Sequence, residues 1–169
     1  ARIPLLLRCP AAVRFVSYEP ALGGVDFRRI KPWHPDHGPD GADALAGGSW
    51  GNEFVKRMAG GGPGYCNHSG APTLSWLVVG GESGVGARPF NLAWARKTVK
   101  DCREHRVPVF VKQLGARPVV EEGSTADGWA AAGLRIDDCG GVHLRHPKGA
   151  DMAEWPEDLR VQEFPEPGP

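Results

Sequence analysis

Residues 74–115 read LSWLVVGGESGVGARPFNLAWARKTVKDCREHRVPVFVKQLG and form the most regular pattern in the chain. The continuous apolar run at residues 76–79 is typical of a strand that is covered on both faces, as in a parallel sheet. After a glycine-rich turn, Asn91 can cap a helix whose apolar residues follow at helical spacing. A second apolar run at residues 107–111 completes a strand–helix–strand unit. This stretch therefore predicts an α/β fold.

The segment on the amino-terminal side predicts a third strand. Residues 3–9 favour a short helix, because Pro4 falls in a first turn, where proline is tolerated. Residues 13–17 alternate between apolar and polar, and the pattern stops at Glu19-Pro20, as expected at the end of a short strand. A helix that begins so near the first residue suggests that the chain is part of a longer protein.

The regions around these elements are less regular and suggest the domain organisation. Residues 31–73 are rich in glycine, proline and histidine, which is typical of a loop-rich insertion. Two short β patterns flank Cys139-Gly140-Gly141 and predict a hairpin. We therefore expect an α/β domain over residues 1–120 with an insertion at 31–73, followed by an acidic C-terminal extension over residues 121–169.

The charge of the chain is balanced in total but uneven along its length. The 169 residues include 20 basic and 20 acidic side chains, so the formal charge is zero. Residues 121–169 alone have four basic and eleven acidic side chains. Zero net charge argues against polybasic binding to nucleic acid or to a membrane surface. With no signal peptide and no apolar run of about 18 residues, we expect a cytoplasmic protein with reduced thiols.

The candidate binding residues follow the three predicted strands. Ligands of parallel α/β sheets bind at the carboxyl ends of the strands, where carboxylates, an ammonium and an amide could hold a ribose, an amine or an amino-acid group. Alternatively, Glu19 and Lys112 form only a surface ion pair, and the glycine-rich loop is only a turn. The candidates are Glu19, Gly80, Gly81, Glu82, Ser83, Lys112 and Gln113.

A second constellation lies in the insertion and suggests a metal site. His34 and His37 are separated by two residues, and Cys66 and His68 by one. Imidazole and thiolate groups are ligands of zinc, and four of them would close a structural site. A metal would also order a glycine-rich segment. The alternative is a solvated insertion with scattered histidines.

Three stretches together resemble a known family. ARIPLLLRCPAAVRFVSYEPALGGVDF, the stretch quoted above and KGADMAEWPEDLRVQEFP are similar to the C-terminal half of a phage- and prophage-encoded family related to radical S-adenosylmethionine proteins. The resemblance covers roughly residues 1–29, 74–115 and 146–164 and is most specific in the middle stretch. It implies a partial TIM-type barrel. For this chain we therefore expect a half-barrel of that type or a small parallel sheet, with the loop-rich insertion and the C-terminal hairpin extension described above.

The resemblance also implies cofactors, which belong to a longer parent chain. In that family an N-terminal three-cysteine motif holds a [4Fe–4S] cluster, which reduces and cleaves S-adenosylmethionine. The four dispersed cysteines of this sequence contain no such motif, so we expect this chain alone to be inactive in that chemistry. The matching positions would form the far wall of the cofactor and substrate pocket: Glu19, Gly80, Gly81, Glu82, Lys112 and Gln113.

Two function hypotheses follow from the sequence. In the first, the chain is the C-terminal portion of a radical S-adenosylmethionine-like phage protein in the cytoplasm of a bacterial host. In the second, it is a non-enzymatic phage interaction protein that binds a host or phage protein. A half-barrel exposes strand edges and apolar faces, so we expect as partner the missing N-terminal half, a second copy or one of those proteins.

Overall fold

The structure is a computed structural model that describes residues 2–30, 42–50, 65–67, 72–120 and 135–166. The α-helices in these ranges are α1 (Ile3–Leu7) and α2 (Leu92–Glu104). Its strands are β1 (Phe15–Tyr18), β2 (Ala42–Asp43), β3 (Gly48–Trp50), β4 (Tyr65–Asn67), β5 (Trp76–Gly80), β6 (Phe90–Asn91), β7 (Val109–Gln113), β8 (Pro118–Val119), β9 (Arg135–Ile136) and β10 (Val142–His143). Two short 3-10 helices follow, Met152–Glu154 and Glu157–Leu159.

The centre of the fold is a parallel sheet with strand order β1–β5–β7. Phe15 is in register with Trp76, and Leu77 is in register with Val109. Helix α2 lies between β5 and β7 in the chain, which confirms the predicted strand–helix–strand unit. Strands β6 and β8 form a second, shorter parallel pair. The fold is thus mixed α/β with small parallel sheets, and the strands in the described ranges do not close into a barrel.

One face of the sheet forms the hydrophobic core together with α2. Alternate side chains of β5 and β7, such as Leu77 and Val109, are fully buried there. The Asn91 side chain accepts a hydrogen bond from the Ala93 N–H at 2.8 Å, so the predicted N-cap is confirmed. The apolar positions that defined the helix pattern are buried as well: Leu92, Ala95, Val99 and Cys102.

Helix α2 ends in a Schellman motif that has arginine where glycine is usual. The Val107 N–H donates to the Cys102 carbonyl at 2.9 Å, and the Arg106 N–H donates to the Arg103 carbonyl at 3.2 Å. Arg106 therefore has a φ of 56°, a left-handed conformation that costs an L-residue roughly 1–2 kcal/mol. This tight ending lets β7 begin only a few residues after the helix.

The C-terminal segment belongs to the same core as the parallel sheet. Trp155, Leu159 and Val161 are buried in the cluster that contains β5 and β7. Residues 161–163 run antiparallel to β7, because the Val111 N–H donates to the Val161 carbonyl at 2.8 Å. The outer edge of β7 is therefore covered. The predicted hairpin is confirmed as the antiparallel pair β9–β10.

The opposite face of the parallel sheet is aromatic and half-exposed. Trp76 contacts Phe15 with ring centroids 5.5 Å apart and Phe164 with centroids 5.6 Å apart. Phe110 packs against Phe164 at 5.2 Å. Phe15 is 49% exposed and Phe164 is 65% exposed. Among the described strands, β1 pairs only with β5, so its outer edge is open there.

The described parts of the insertion include regular structure. Strands β2, β3 and β4 form a small antiparallel sheet, which the sequence analysis did not predict within the loop-rich insertion. Ala44 and Leu45 are buried in the main core, and the Leu74 N–H donates to the Ala44 carbonyl at 2.8 Å. The insertion is thus anchored to the α/β unit at this point.

None of the helices in the described segments is long and apolar enough to cross a membrane.

Candidate functional site

The structure brings the candidate residues of all three strands to one edge of the sheet, which we call the rim. It consists of Glu19, residues 80–83 and the pair Lys112 and Gln113. Because β1, β5 and β7 are parallel, their carboxyl ends lie side by side, as the sequence predicts. Ligands of parallel sheets bind at this end.

Glu19 and Lys112 form the ion pair that the sequence left as the alternative. The Lys112 Nζ donates to the Glu19 Oε2 at 3.0 Å. The Glu19 side chain is 16% exposed and the Lys112 side chain 54% exposed, so the ammonium lies in solvent contact. Exposed pairs contribute only about 0–1 kcal/mol. A ligand that offers each group a new partner can therefore replace this bond at little cost.

The glycines of the GGES turn are explained by the chain's own backbone. A Cβ atom on Gly81 would lie 2.8 Å from the Leu114 carbonyl carbon, and closer still to its oxygen. The Gly81 N–H donates to the Gln113 carbonyl at 3.0 Å, and the Gln113 Nε2 donates to the Gly81 carbonyl at 2.9 Å. Gln113 thus holds the turn in place with its side chain and its backbone. Gly81 is required here even without a ligand.

Glu82 is bound by Arg88, a residue that the sequence analysis missed. The Arg88 Nε donates to the Glu82 Oε2 at 2.8 Å, and the Arg88 Nη2 donates to the Oε1 at 3.0 Å. This contact, with a bond from the Arg88 N–H, lowers the pKa of Glu82 to about 2. Because its pKa is lowered in the folded state, the ionised Glu82 stabilises the fold at pH values above the ordinary pKa of a glutamate. This stabilisation is lost as the pH falls through about 2. Ser83 lies beside Glu82 and is exposed.

Two further glycines support the rim from behind, and the sequence analysis did not assign them a role. Gly115 has a φ of 81°, and a Cβ atom there would lie 2.7 Å from the Glu82 carbonyl oxygen. Gly149 packs against Gly115 in the same way, and its carbonyl accepts the Leu114 N–H at 2.8 Å. Only the glycine letters themselves signalled these positions. The rim loop therefore rests on Gly115, which rests on the C-terminal segment.

A groove of about 690 Å³ lies at the opposite end of the sheet. It is lined by residues that precede the strands, such as Val13, Ser75 and Pro108, together with Phe164. Arg103 and Glu163 also line the groove, with the Arg103 Nε 3.8 Å from the Glu163 Oε1. The groove is therefore separate from the rim, and none of the rim residues lines it.

The cysteines whose side chains the structure describes do not form a cluster site. Cys9 and Cys139 are exposed, and Cys102 is buried in α2. Burial, with smaller effects of nearby carboxylates, raises the pKa of Cys102 to about 12, which opposes the thiolate form that metals need. Across the described segments, His, Cys, Asp and Glu side chains form no group of three or more that could hold a metal. A [4Fe–4S] cluster therefore does not fit these residues.

The zinc hypothesis concerns residues outside this description. His34, His37 and His68 lie outside the described ranges, and Cys66 is described only as part of the backbone of β4. The zinc site remains a prediction from the spacing.

Comparison with known proteins gives one family match. A family model described as "Protein of unknown function (DUF5131)" matches residues 1–140, which include the insertion, the parallel sheet and β9. No curated protein matches the chain, and no solved structure does. Because the match spans most of the 169 residues, the chain belongs to the family of proteins of unknown function called DUF5131.

Proposed function

We propose that this chain is the C-terminal portion of a radical S-adenosylmethionine-like phage protein and forms the far wall of its cofactor and substrate pocket. One observation carries the proposal: Glu19, residues 80–83, Lys112 and Gln113 meet at the carboxyl ends of three parallel strands. Parallel α/β proteins and barrels bind their ligands at this end. The resemblance of three sequence stretches to that family supports the same assignment.

The open side of the sheet supports a partial barrel that is completed by another segment. The outer edge of β1 has no neighbour among the described strands, whereas the edge of β7 is covered by residues 161–163. Helix α1 precedes β1 and buries Leu7 in the core shared with α2. A helix followed by a parallel strand is half of a strand–helix–strand unit. A further strand of the parent protein beside β1 would extend this sheet towards a barrel.

The rim has the groups that one end of S-adenosylmethionine requires. The amino-acid portion of this molecule has an ammonium and a carboxylate. In the complex, Glu19 would bind the ammonium and Lys112 would bind the carboxylate, and these two contacts would replace the ion pair between Glu19 and Lys112. When bound there, S-adenosylmethionine would supply radical chemistry to the reaction. The cluster ligands would come from the upstream segment, since the cysteines described here do not converge. The role of this chain is to bind and orient.

If Glu19 and Lys112 bind S-adenosylmethionine in this way, neutralising either side chain should weaken its binding. In the longest native form of the protein, loaded with iron and sulfide, Lys112→Met or Glu19→Gln should weaken S-adenosylmethionine binding at least about tenfold, because a charged hydrogen bond contributes roughly 1.5–3 kcal/mol. Isothermal titration calorimetry measures the affinity. Lys100→Met and Glu104→Gln are matched controls, since these exposed residues of α2 form a similar pair at 4.0 Å.

Two results would contradict the proposal. One is a native form that binds neither iron nor S-adenosylmethionine. The other is a loss of affinity that is equal in the rim variants and in the α2 controls. Binding that survives both rim substitutions would move the cofactor away from Glu19 and Lys112, and the rim would then have no role in holding it.

A second candidate function is favoured by the apolar surface beside the open edge. Four large apolar side chains near β1 are 38–49% exposed: Leu5, Val13, Phe15 and Leu22. An uncovered edge strand with apolar neighbours is a template for association with another chain. A non-enzymatic phage protein that binds a host or phage protein through this surface would explain it. The absence of iron and S-adenosylmethionine from the native form would favour this candidate.

A further inference from the structure

The imidazole of His146 organises a turn behind the rim. Its Nδ1 lies 3.2 Å from the backbone nitrogen of Lys148 and 3.2 Å from that of Ala150, both of which donate to it. The His146 carbonyl accepts the Gly149 N–H at 2.8 Å. A ring nitrogen accepts hydrogen bonds only when it is unprotonated. This turn therefore requires a neutral imidazole with its proton on Nε2.

The turn fixes the position of Gly149. This residue is buried and has a φ of 57°, and a Cβ atom on it would collide with the Gly115 carbonyl oxygen. Its own carbonyl accepts two hydrogen bonds, from the Leu114 N–H at 2.8 Å and from the Trp155 Nε1 at 3.0 Å. Gly149 is thus packed between the end of β7 and the C-terminal segment.

The next layer transmits this position to the rim. Gly115 lies directly against Gly81, with the position of its missing Cβ 2.9 Å from the Gly81 Cα. The Ala116 N–H donates to the Glu82 carbonyl at 2.8 Å. His146, Gly149, Gly115 and the GGES turn therefore form one continuous stack of backbone contacts. These contacts would transmit a shift of the turn at His146 to Gly81.

We propose that His146 is a positioning residue of the rim and that its protonation loosens the GGES turn. A proton on Nδ1 removes the acceptor of the Lys148 and Ala150 N–H groups, so the turn opens and Gly149 loses its support. The stack then relaxes at Gly115, and residues 80–83 become less protected. The proposal rests on the proposed function only in treating the rim as the binding edge. Its structural consequence requires no ligand.

Several charged groups lie close to His146 in the chain and in the turn: Arg145, Lys148, Asp151 and Glu154. The Glu154 Oε2 accepts the His146 and Arg145 N–H groups, both at 3.0 Å, and its Oε1 accepts the Arg145 Nε. The hydrogen bond from the His146 N–H has the largest effect, and together these bonds hold the pKa of Glu154 below its ordinary value. Glu154 therefore stays charged near neutral pH. Asp151 is held by the Ala153 N–H at 2.9 Å.

Amide hydrogen exchange of the full chain tests this coupling. Protection factors at Gly81, Ala116 and Gly149, corrected for intrinsic exchange, should fall about tenfold between about pH 8 and about pH 5, where histidines titrate, because two neutral hydrogen bonds are lost. Amide groups outside the stack, such as Val99 in α2, should not respond. Heteronuclear NMR resolves these residues individually.

Variants separate His146 from other histidines. His146→Asn should keep high protection at every pH, since an asparagine oxygen accepts the N–H two residues on and does not titrate. His146→Phe should be poorly protected throughout. His143→Asn is the matched control, because His143 lies in β10 and pairs with Asp137 at 3.3 Å. This variant should keep the pH response of the native chain.

The proposal is overturned if native protection at Gly81 and Ala116 does not depend on pH, or if His146→Asn loses it as the native chain does. Should His146→Phe fail to fold, the Asn variant still decides. These measurements are independent of S-adenosylmethionine. Failure of the cofactor-binding test with an intact pH response would reject the proposed function alone, and the reverse result would reject the positioning role alone.

Discussion

Replacing Gly81 by alanine should destabilise the fold by about 3 kcal/mol, the upper end for overpacked positions. The new methyl group would overlap the backbone carbonyl of Leu114. Neither side can yield, because the Leu114 N–H is fixed by the Gly149 carbonyl and the Gly81 N–H by the Gln113 carbonyl. Urea unfolding followed by circular dichroism gives the change in the free energy of unfolding.

The control for Gly81 is another glycine with free space around it. Gly23 has no atom within 4 Å of its Cβ position and no positive φ. Gly23→Ala should therefore change the free energy of unfolding by less than about 0.5 kcal/mol, as surface substitutions usually do. If Gly81→Ala is as stable as Gly23→Ala, the rim loop does not lie against Leu114, and the stack that links it to Gly149 is wrong.

Replacing Trp155 by alanine should have the largest effect on stability, about 3–5 kcal/mol. The side chain is fully buried in the core shared by the parallel sheet and the C-terminal segment. Its Nε1 also donates to the Gly149 carbonyl at 3.0 Å. Because single domains are stable by only about 5–15 kcal/mol, the variant should lose a large share of its stability.

Two further variants divide the contribution of Trp155. Trp155→Phe keeps most of the volume but loses the hydrogen bond, and should cost about 1–2 kcal/mol. Phe164→Ala, at a residue that is 65% exposed, should cost less than Trp155→Phe. Thermal unfolding should remain a single transition in the native chain. A separate early transition of the C-terminal segment, with Trp155→Ala harmless to the sheet, would contradict a shared core.

The central α/β unit was predictable because its signals are local. The apolar run of β5, the Asn91 cap and the buried positions of α2 each lie within one element, so spacing alone identifies them. The rim followed from these elements, since parallel strands align their carboxyl ends. Glu19 and Lys112 were placed correctly at the rim, although they are 93 residues apart in the chain.

The contacts that the sequence did not predict are long-range or backbone-specific. Residues 161–163 pair with β7 across about fifty positions, and no local pattern indicates such an antiparallel neighbour. The bond between Glu82 and Arg88 was missed because Glu82 was assigned to a ligand. Gly149 can pack against Gly115 only because it has no side chain. The sequence does not show this role, because it depends on a contact between residues that are distant in the chain.

The measurement that tests the central claim most directly is the intact mass and N-terminal sequence of the protein from its native source. We expect a mass well above 18.1 kDa, the mass of the 169 residues, with a three-cysteine motif upstream of Ile3 or on a tightly bound partner chain. A mass near 18.1 kDa with no such partner would contradict it. The rim would then not be the wall of a radical enzyme's pocket.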